Sequence, residues 1–158
     1  MSGEAYMTMY RRLFEEGFSQ GNLAIIDELI APEHISQARN ISGRERLKHL
    51  ITMFRSAFPD LRFTVEDLFV KRDKVVVRWI ARGTHQGRFL GVAPTGKQVR
   101  VAGMTIGRIA GGKIVEEWCN WDALGLILQL GLIPNLDLKA PPSAAIGYDP
   151  VSAAAPPV

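Results

Sequence analysis

The sequence predicts an α+β protein in which several helices precede an antiparallel sheet. Up to about residue 60, apolar residues recur every three or four positions, which is the period of amphipathic helices. Beyond that point they alternate every second position, which is the period of half-buried strands. Short turns rich in glycine or charge separate the alternating segments, so neighbouring strands are expected to pair as hairpins. Helices followed by a meander of strands are typical of the α+β class.

Three helices are predicted in the first part of the chain. The first spans about residues 4–19, and its apolar face carries Tyr6, Tyr10, Leu13, Phe14 and Phe18. The second ends near Ala31, because Pro32 follows and the residue before a proline disfavours helical geometry. The third begins at a capping-box pattern, residues 42–45 (SGRE), and ends near Pro59.

Four strands and one further helix are predicted after residue 60. The strands cover residues 61–70, 75–84, 99–109 and 114–121, and the helix covers residues 123–130. Residues 1–138 are expected to form one domain. Residues 139–158 hold five of the nine prolines and many alanines, so they are expected to form a tail rather than a second domain.

Composition excludes several classes of protein. A chain of 158 residues with 47% hydrophobic and 22% charged residues is typical of a single globular domain. No apolar run approaches the roughly 20 residues that cross a bilayer, and no signal peptide is recognisable, so a cytoplasmic location without membrane contact is expected. Cys119 is the single cysteine, which excludes an internal disulfide. The net charge is +3, but basic and acidic residues interleave, so we expect no nucleic-acid partner.

The segment from Gly112 to Gly125 predicts a strand that runs directly into a helix. Side chains alternate between the two faces of a strand, so one face is expected to carry Ile114, Glu116, Trp118, Asn120 and Asp122. An indole, an amide and a carboxylate in successive positions of one face are costly to bury without a function. If this face lines an apolar cavity, Trp118 borders a ligand and Asn120 donates a hydrogen bond to its oxygen.

Two interpretations of Asp122 remain open from the residues alone. In an apolar cavity, desolvation raises the pKa of a carboxyl group towards the range of a general acid or base. Alternatively, Asp122 is the N-cap of the helix that follows. In that case hydrogen bonds from backbone amides lower its pKa and make it a poor base.

Several other side chains are candidates for the cavity. His85 lies in a glycine-bounded turn, where it is either a second acid/base group or a hydrogen-bonded loop residue. Trp79 either walls the cavity or belongs to the core of the sheet. On the first helix, the candidates are Tyr10, Phe14 and Phe18. Cys119 lies on the face opposite Asp122 and has no histidine near it in sequence, so nucleophilic catalysis is not expected.

Motifs spread over most of the chain resemble one protein family. They are residues 57–61 (AFPDL), 83–91 (GTHQGRFLG), 94–97 (PTGK), 112–118 (GKIVEEW) and 121–126 (WDALGL). From about Tyr10 to Leu132, the chain resembles the SnoaL-like polyketide cyclases of the nuclear transport factor 2-like superfamily. This fold also hosts isomerases, hydrolases and proteins without known chemistry, so the resemblance is more specific for fold than for activity.

The resemblance implies a cone-shaped, curved antiparallel sheet that wraps the N-terminal helices and encloses an apolar cavity. It also implies a homodimer through the outer face of the sheet, and an intramolecular aldol reaction that uses neither a metal nor an organic cofactor. The family's acid/base aspartate matches Asp122. A second pocket residue of the family aligns with Gln37, and His34 is displaced from that position.

Two functions follow from these expectations. The first is a cofactor-independent cyclase or isomerase that acts on an apolar, oxygenated small molecule. In it Asp122 moves the proton, while Asn120 or His85 polarises a carbonyl group. The second is a non-catalytic module with the same cavity, which binds a small molecule or a second copy of the chain. RNA contact through scattered arginines is a lesser third alternative.

Overall fold

The computed structural model describes residues 2–37 and 41–133. The helices are α1 (Gly3–Arg12), which continues as a π-helical segment (Leu13–Ser19), α2 (Ala24–Leu29), α3 (Arg44–Ala57) and α4 (Ala123–Leu130). The strands are β1 (Ile30–Ser36), β2 (Ile41–Ser42), β3 (Arg62–Lys71), β4 (Lys74–Thr84), β5 (Gln98–Ala110) and β6 (Lys113–Trp121). The predicted tail, residues 139–158, lies outside the described residues.

The described strands form one curved sheet in the order β2-β1-β6-β5-β4-β3. Strands β3 to β6 pair antiparallel with their neighbours in sequence, as predicted. The N-terminal helices pack against this sheet, so the predicted α+β class is confirmed. One feature differs from the expected antiparallel sheet, because β1 pairs parallel with β6. None of the described helices is long and apolar enough to cross a bilayer.

The first half of the chain departs from the sequence prediction in the geometry of the first helix, at the end of the second helix and at the start of the third. The first helix widens into π-helical geometry, with the Ser19 hydroxyl donating to the Phe14 carbonyl at 2.9 Å. The second helix ends at Leu29, and the chain continues as β1 because pairing with β6 satisfies its backbone. The predicted capping box is wrong: Ser42 belongs to β2, and the N-cap of α3 is Gly43, which makes no side-chain cap.

A β-bulge in β6 decides which of its side chains face the helices. Arg108 of β5 pairs with Glu116, but Ile109 pairs with Ile114, so Val115 is an extra residue in β6. The alternation of faces therefore shifts by one position at Val115. Ile114 and Glu117 are both buried on the inner side, although the unbroken alternation of the sequence placed them on opposite faces.

The inner face of β5 carries two glycines that leave room for large aromatic side chains. A Cβ atom on Gly103 would lie 2.3 Å from the nearest ring carbon of Trp79. A Cβ atom on Gly107 would lie 1.3 Å from the Tyr10 hydroxyl oxygen. The absence of a side chain at these positions lets both rings lie directly against the strand.

Tyr10 is fully buried and joins the first helix to the sheet. Its hydroxyl donates a hydrogen bond to Oε1 of Glu117, with an oxygen–oxygen distance of 3.2 Å. Burial raises the pKa of the Tyr10 phenol well above its usual range, and the charge and hydrogen bond of Glu117 raise the pKa further. The phenol therefore keeps its proton and stays a hydrogen-bond donor.

Replacing Gly107 with Ala is expected to destabilise the fold by about 3 kcal/mol, because the new methyl group overlaps the Tyr10 hydroxyl. Urea unfolding followed by circular dichroism measures this loss. The matched control is Gly111→Ala at the β5–β6 turn, where a Cβ atom meets nothing within 4 Å. Gly111→Ala should lose about 1 kcal/mol of unfolding free energy, because only the left-handed backbone at this position disfavours alanine. A smaller loss at Gly107 than at Gly111 would contradict this packing.

Tyr10 is expected to make stability fall at alkaline pH. Above about pH 10 the unfolded chain releases the phenolic proton, whereas the native chain keeps it because its pKa is raised. The contribution of the Tyr10 phenol to the free energy of unfolding is therefore fully present below about pH 10. Above that pH, the free energy of unfolding declines by up to about 1.4 kcal/mol per pH unit. Urea unfolding at pH 8 and pH 11 should show a smaller decline in Tyr10→Phe than in the wild type. Tyr6→Phe serves as the control and should leave the decline unchanged.

Candidate functional site

A cavity of about 130 Å³ lies between the N-terminal helices and the inner face of the sheet. Aromatic side chains form much of its wall, namely Phe14, Phe18, Phe54, Phe58, Phe63 and Trp79. The rings pack against one another, with centroid distances of 5.6 Å for Phe14–Phe18 and 5.0 Å for Phe63–Trp79. An apolar cavity of about 150 Å³ holds one benzene ring, and this cavity is partly open to the outside, so it can take up one ring of a larger flat, apolar molecule.

A carboxylate and an imidazole lie next to each other in the cavity lining, whose other polar side chains are Ser36, Arg46, Arg82 and Thr105. Glu117 of β6 and His34 of β1 both line the cavity and are 8% and 1% exposed. Nε2 of His34 lies 3.1 Å from Oε2 of Glu117, while the Tyr10 hydroxyl contacts Oε1. Both oxygens of the buried carboxylate therefore have a polar neighbour, which offsets the cost of removing the charge from water.

The His34 ring is less completely satisfied than the carboxylate. Its Nε2 atom is at ion-pair distance from Glu117, but the alignment falls outside that of a hydrogen bond. Its Nδ1 atom has no hydrogen-bond partner among the described residues. Buried polar atoms without partners are uncommon in native proteins, and such atoms are frequently functional. His34 also lines the cavity, so a bound ligand can supply the partner that its ring lacks.

The pairing of β1 with β6 brings His34 and Glu117 together. Ser36 of β1 is in register with Glu117, and Ile35 is in register with Glu116. The β1 residues alternate in burial, with His34 buried, Ile35 exposed and Ser36 half-buried. His34 and Ser36 therefore face the cavity together with Glu117, and both serine and histidine line it.

Four of the residues predicted from the sequence lie in or beside the cavity. Phe14, Phe18 and Trp79 line it. Tyr10 is buried beside it, and its hydroxyl contacts the cavity carboxylate of Glu117. The helical and strand periodicities were sufficient to place these four side chains on inner faces.

The predicted placement of Asp122 in the cavity is wrong. Asp122 is exposed and is the N-cap of α4, where its Oδ1 accepts a hydrogen bond from the Gly125 backbone amide at 2.8 Å. The helix begins directly after β6, so its first amides need an acceptor, and Asp122 supplies it. Gly125 leaves the space, since a Cβ atom there would lie 2.0 Å from the Asp122 carboxylate.

The predicted placements of Trp118, Asn120 and Gln37 in the cavity are also wrong. Because of the bulge at Val115, Trp118 lies on the outer face of the sheet, where the Lys74 Nζ atom sits 5.2 Å from the ring centroid. Asn120 is exposed. Nε2 of Gln37 donates to Oε1 of Glu116 at 2.6 Å, outside the cavity.

His85 is fully buried but is not among the residues that line the cavity. Its Nδ1 atom accepts a hydrogen bond from the Thr95 backbone amide at 3.2 Å, and its ring packs 5.4 Å from that of Phe58. Phe58, against which His85 packs, is part of the cavity wall. Of the two interpretations of His85, the structure favours the hydrogen-bonded loop residue.

Sequence reasoning missed the central pair, His34 and Glu117. Glu117 shares its face with Cys119 and Trp121, which also line the cavity, but the unbroken alternation assigned that face to the outside. Among residues 2–37 and 41–133, no group of three histidine, cysteine, aspartate or glutamate side chains is placed to hold a metal ion.

Comparison with known proteins identifies the family of this fold and cavity. Residues 8–130 match the family of SnoaL-like polyketide cyclases. No curated protein is significantly similar to the chain in sequence.

Three solved structures illustrate the similarity. TsrD from Streptomyces laurentii is 26% identical, with a TM-score of 0.78 and coverage of 84% of this chain and 99% of TsrD. AclR from Streptomyces galilaeus, named as a candidate hydroxylase, is 25% identical, with a TM-score of 0.78. The match covers 87% of this chain and 88% of AclR. IdmH from Streptomyces antibioticus, named as a candidate polyketide cyclase, is 32% identical, with a TM-score of 0.68. The match covers 79% of this chain and 97% of IdmH.

The family match spans most of the chain, and the solved structures share its fold over nearly their whole length. The chain therefore belongs to the SnoaL-like polyketide cyclase family of the nuclear transport factor 2-like superfamily.

Proposed function

We propose that this protein is a cofactor-independent cyclase or isomerase that acts on an apolar, oxygenated small molecule of polyketide type. The observation that carries the proposal is the buried Glu117–His34 pair in a cavity with aromatic walls. A carboxylate and an imidazole that are buried side by side in an apolar cavity are the convergent polar groups expected at a ligand or active site. Membership of the cyclase family supports the same reaction class.

The proposed reaction begins with proton transfer from a carbon next to a carbonyl group. Glu117 accepts the proton, and the electrons of the C–H bond form the double bond of an enolate. His34, 3.1 Å from the Glu117 carboxylate, shares the transferred proton. The enolate carbon then attacks a second carbonyl in the same molecule, and the alkoxide that forms takes the proton back. The product is an isomer of the substrate, so the reaction needs no oxidant or reductant.

A non-catalytic binding module is the second candidate function. It is favoured by one observation: Asp122, the residue that matches the family's aspartate, is occupied as a helix cap. In such a module the cavity would bind a ligand without changing it. Proton exchange on a bound ketone separates the two candidates, because binding alone leaves the C–H bonds of the ligand intact.

Glu117→Gln is expected to abolish catalysed proton exchange while preserving the shape of the site. The probe is 2-tetralone in D2O, a ketone with activated C–H bonds next to its carbonyl, and mass spectrometry follows deuterium uptake. General-base catalysis contributes about 10²–10⁴ in rate, so the variant should lose at least about 100-fold. The amide still accepts the Tyr10 hydrogen bond, so folding should be retained.

Two carboxylates outside the cavity supply matched controls for this experiment. Glu116→Gln changes the neighbouring outward-facing residue, and Asp122→Asn keeps a good N-cap. Both variants should catalyse deuterium uptake by 2-tetralone at a rate within about threefold of the wild-type rate. The proposal would be wrong if the wild type exchanged deuterium into 2-tetralone no faster than buffer does. It would also be wrong if Glu117→Gln exchanged deuterium at the wild-type rate.

The outer face of the sheet carries an apolar row that fits a second copy of the chain. Phe69, Val76, Ile106 and Trp118 are in register across β3, β4, β5 and β6. Phe69 is 65% exposed and Ile106 is 39% exposed. Large contiguous apolar surfaces commonly mark interfaces. We propose a homodimer in which a two-fold axis brings the two rows together and so buries both of them.

Ile106→Lys is expected to convert the dimer into a monomer, because the new charge would be buried in the interface. Sedimentation-velocity ultracentrifugation should give about 35 kDa for the wild type, twice the 17.5 kDa of the chain, and the monomer mass for the variant. Met53→Lys on α3 is the matched control, since Met53 is also an exposed apolar residue but lies away from the sheet. A monomeric wild type would contradict this interface.

A further inference from the structure

Thr105 is a buried hydroxyl in the otherwise apolar part of the cavity. It lies on the inner face of β5, lines the cavity and is 4% exposed. Its neighbours on the same face of the strand are Gly103 and Gly107, which contribute no side chain. A hydroxyl in such a place loses its contacts with water, so its hydrogen-bond partners determine what it can do.

One partner of the Thr105 oxygen is the indole of Trp79. The Nε1–H group of Trp79 donates to Oγ1 of Thr105 at 3.0 Å. The position of the indole is fixed by Gly103, against which the ring lies directly. The oxygen of Thr105 therefore acts as an acceptor within the protein, and its own proton remains to be donated elsewhere.

Among the described residues, the side chain of Thr105 makes one hydrogen bond, the one that it accepts from Trp79. The Trp79 contact also polarises the hydroxyl, because hydrogen bonds in a chain strengthen one another. A polarised donor without an acceptor at a cavity wall fits an oxygen atom of a bound molecule.

The position of Thr105 relative to Glu117 defines what that oxygen would be. Thr105 is in register with Cys119, and Gly107 is in register with Glu117, so Thr105 and Glu117 are diagonal neighbours on the inner face. Diagonal neighbours on adjacent strands have α-carbons roughly 7–8 Å apart, with side chains that can converge on one molecule. If the carbonyl oxygen of a bound molecule accepts a hydrogen bond from Thr105, the carbon next to that carbonyl group can lie towards the Glu117 carboxylate.

We propose that Thr105 is a catalytic residue that donates a hydrogen bond to the substrate's carbonyl oxygen, and that the substrate class is an apolar ketone. As Glu117 takes the proton from carbon, the electron pair of the C=O bond moves to oxygen. The Thr105 hydroxyl stabilises that negative charge without transferring its proton. This inference rests on the proposed function, since it takes Glu117 as the base.

The test uses a pair of ligands that differ in one oxygen atom. 2-Naphthol resembles the enolate of 2-tetralone, whereas naphthalene has the same rings without oxygen. Thr105→Val removes the hydroxyl at nearly constant shape and should weaken 2-naphthol binding about tenfold, which corresponds to one hydrogen bond. Naphthalene binding should stay within about twofold of the wild type. Thr105→Ser keeps the hydroxyl and should bind both ligands nearly as the wild type does.

NMR titration of each variant measures the binding, and deuterium uptake by 2-tetralone measures the chemistry. Thr105→Val should slow uptake by about 100-fold, the usual effect of losing one such donor. Unchanged 2-naphthol binding in Thr105→Val, equal weakening of both ligands, or no 2-naphthol binding by the wild type would overturn the assignment of Thr105. Normal deuterium uptake in Glu117→Gln, with slow uptake in Thr105→Val, would instead contradict the role of Glu117 as the base and support that of Thr105 as the hydrogen-bond donor.

Discussion

One extra residue in β6 determines which carboxylate faces the interior of this protein. Without the bulge at Val115, the pairing that joins Ile109 to Ile114 would turn Glu116 inward and Glu117 outward. With it, Glu117 reaches the cavity, where it meets the Tyr10 hydroxyl and His34. Glycine at position 107 leaves space for the Tyr10 phenol at this point. The contacts of Glu117 with Tyr10 and His34 depend on this local shift of register.

The energetics of the site explain why so few polar groups are found there. A carboxylate in an apolar cavity is stable only when neighbouring dipoles and charges replace its water. Tyr10 serves this purpose well, because its raised pKa keeps it a donor throughout the physiological range. His34 is held less tightly, because its Nδ1 atom has no hydrogen-bond partner among the described residues.

Much of the fold could be predicted from the sequence, whereas the centre of the site could not. The periods of 3.6 and 2 residues gave the strands β3 to β6 and the helix α4 nearly to their ends, and they placed Phe14, Phe18 and Trp79 inside. Strand β1 was missed because its pairing with β6 is a long-range contact. The bulge was missed because alternation along one strand contains no information about its partner. Asp122 was misplaced for the same reason, and its alternative role as a helix cap was the correct one.

A crystal structure with bound 2-naphthol would locate the ligand relative to the carboxylates of Glu117 and Asp122. We expect the rings to lie among Phe14, Phe63 and Trp79. The ring carbon next to the hydroxyl-bearing carbon should be about 3–3.5 Å from the Glu117 carboxylate. The naphthol oxygen should accept the Thr105 hydrogen bond. A ligand bound outside the cavity beside Asp122, or one inside it with its oxygen directed away from Glu117 and Thr105, would contradict the account.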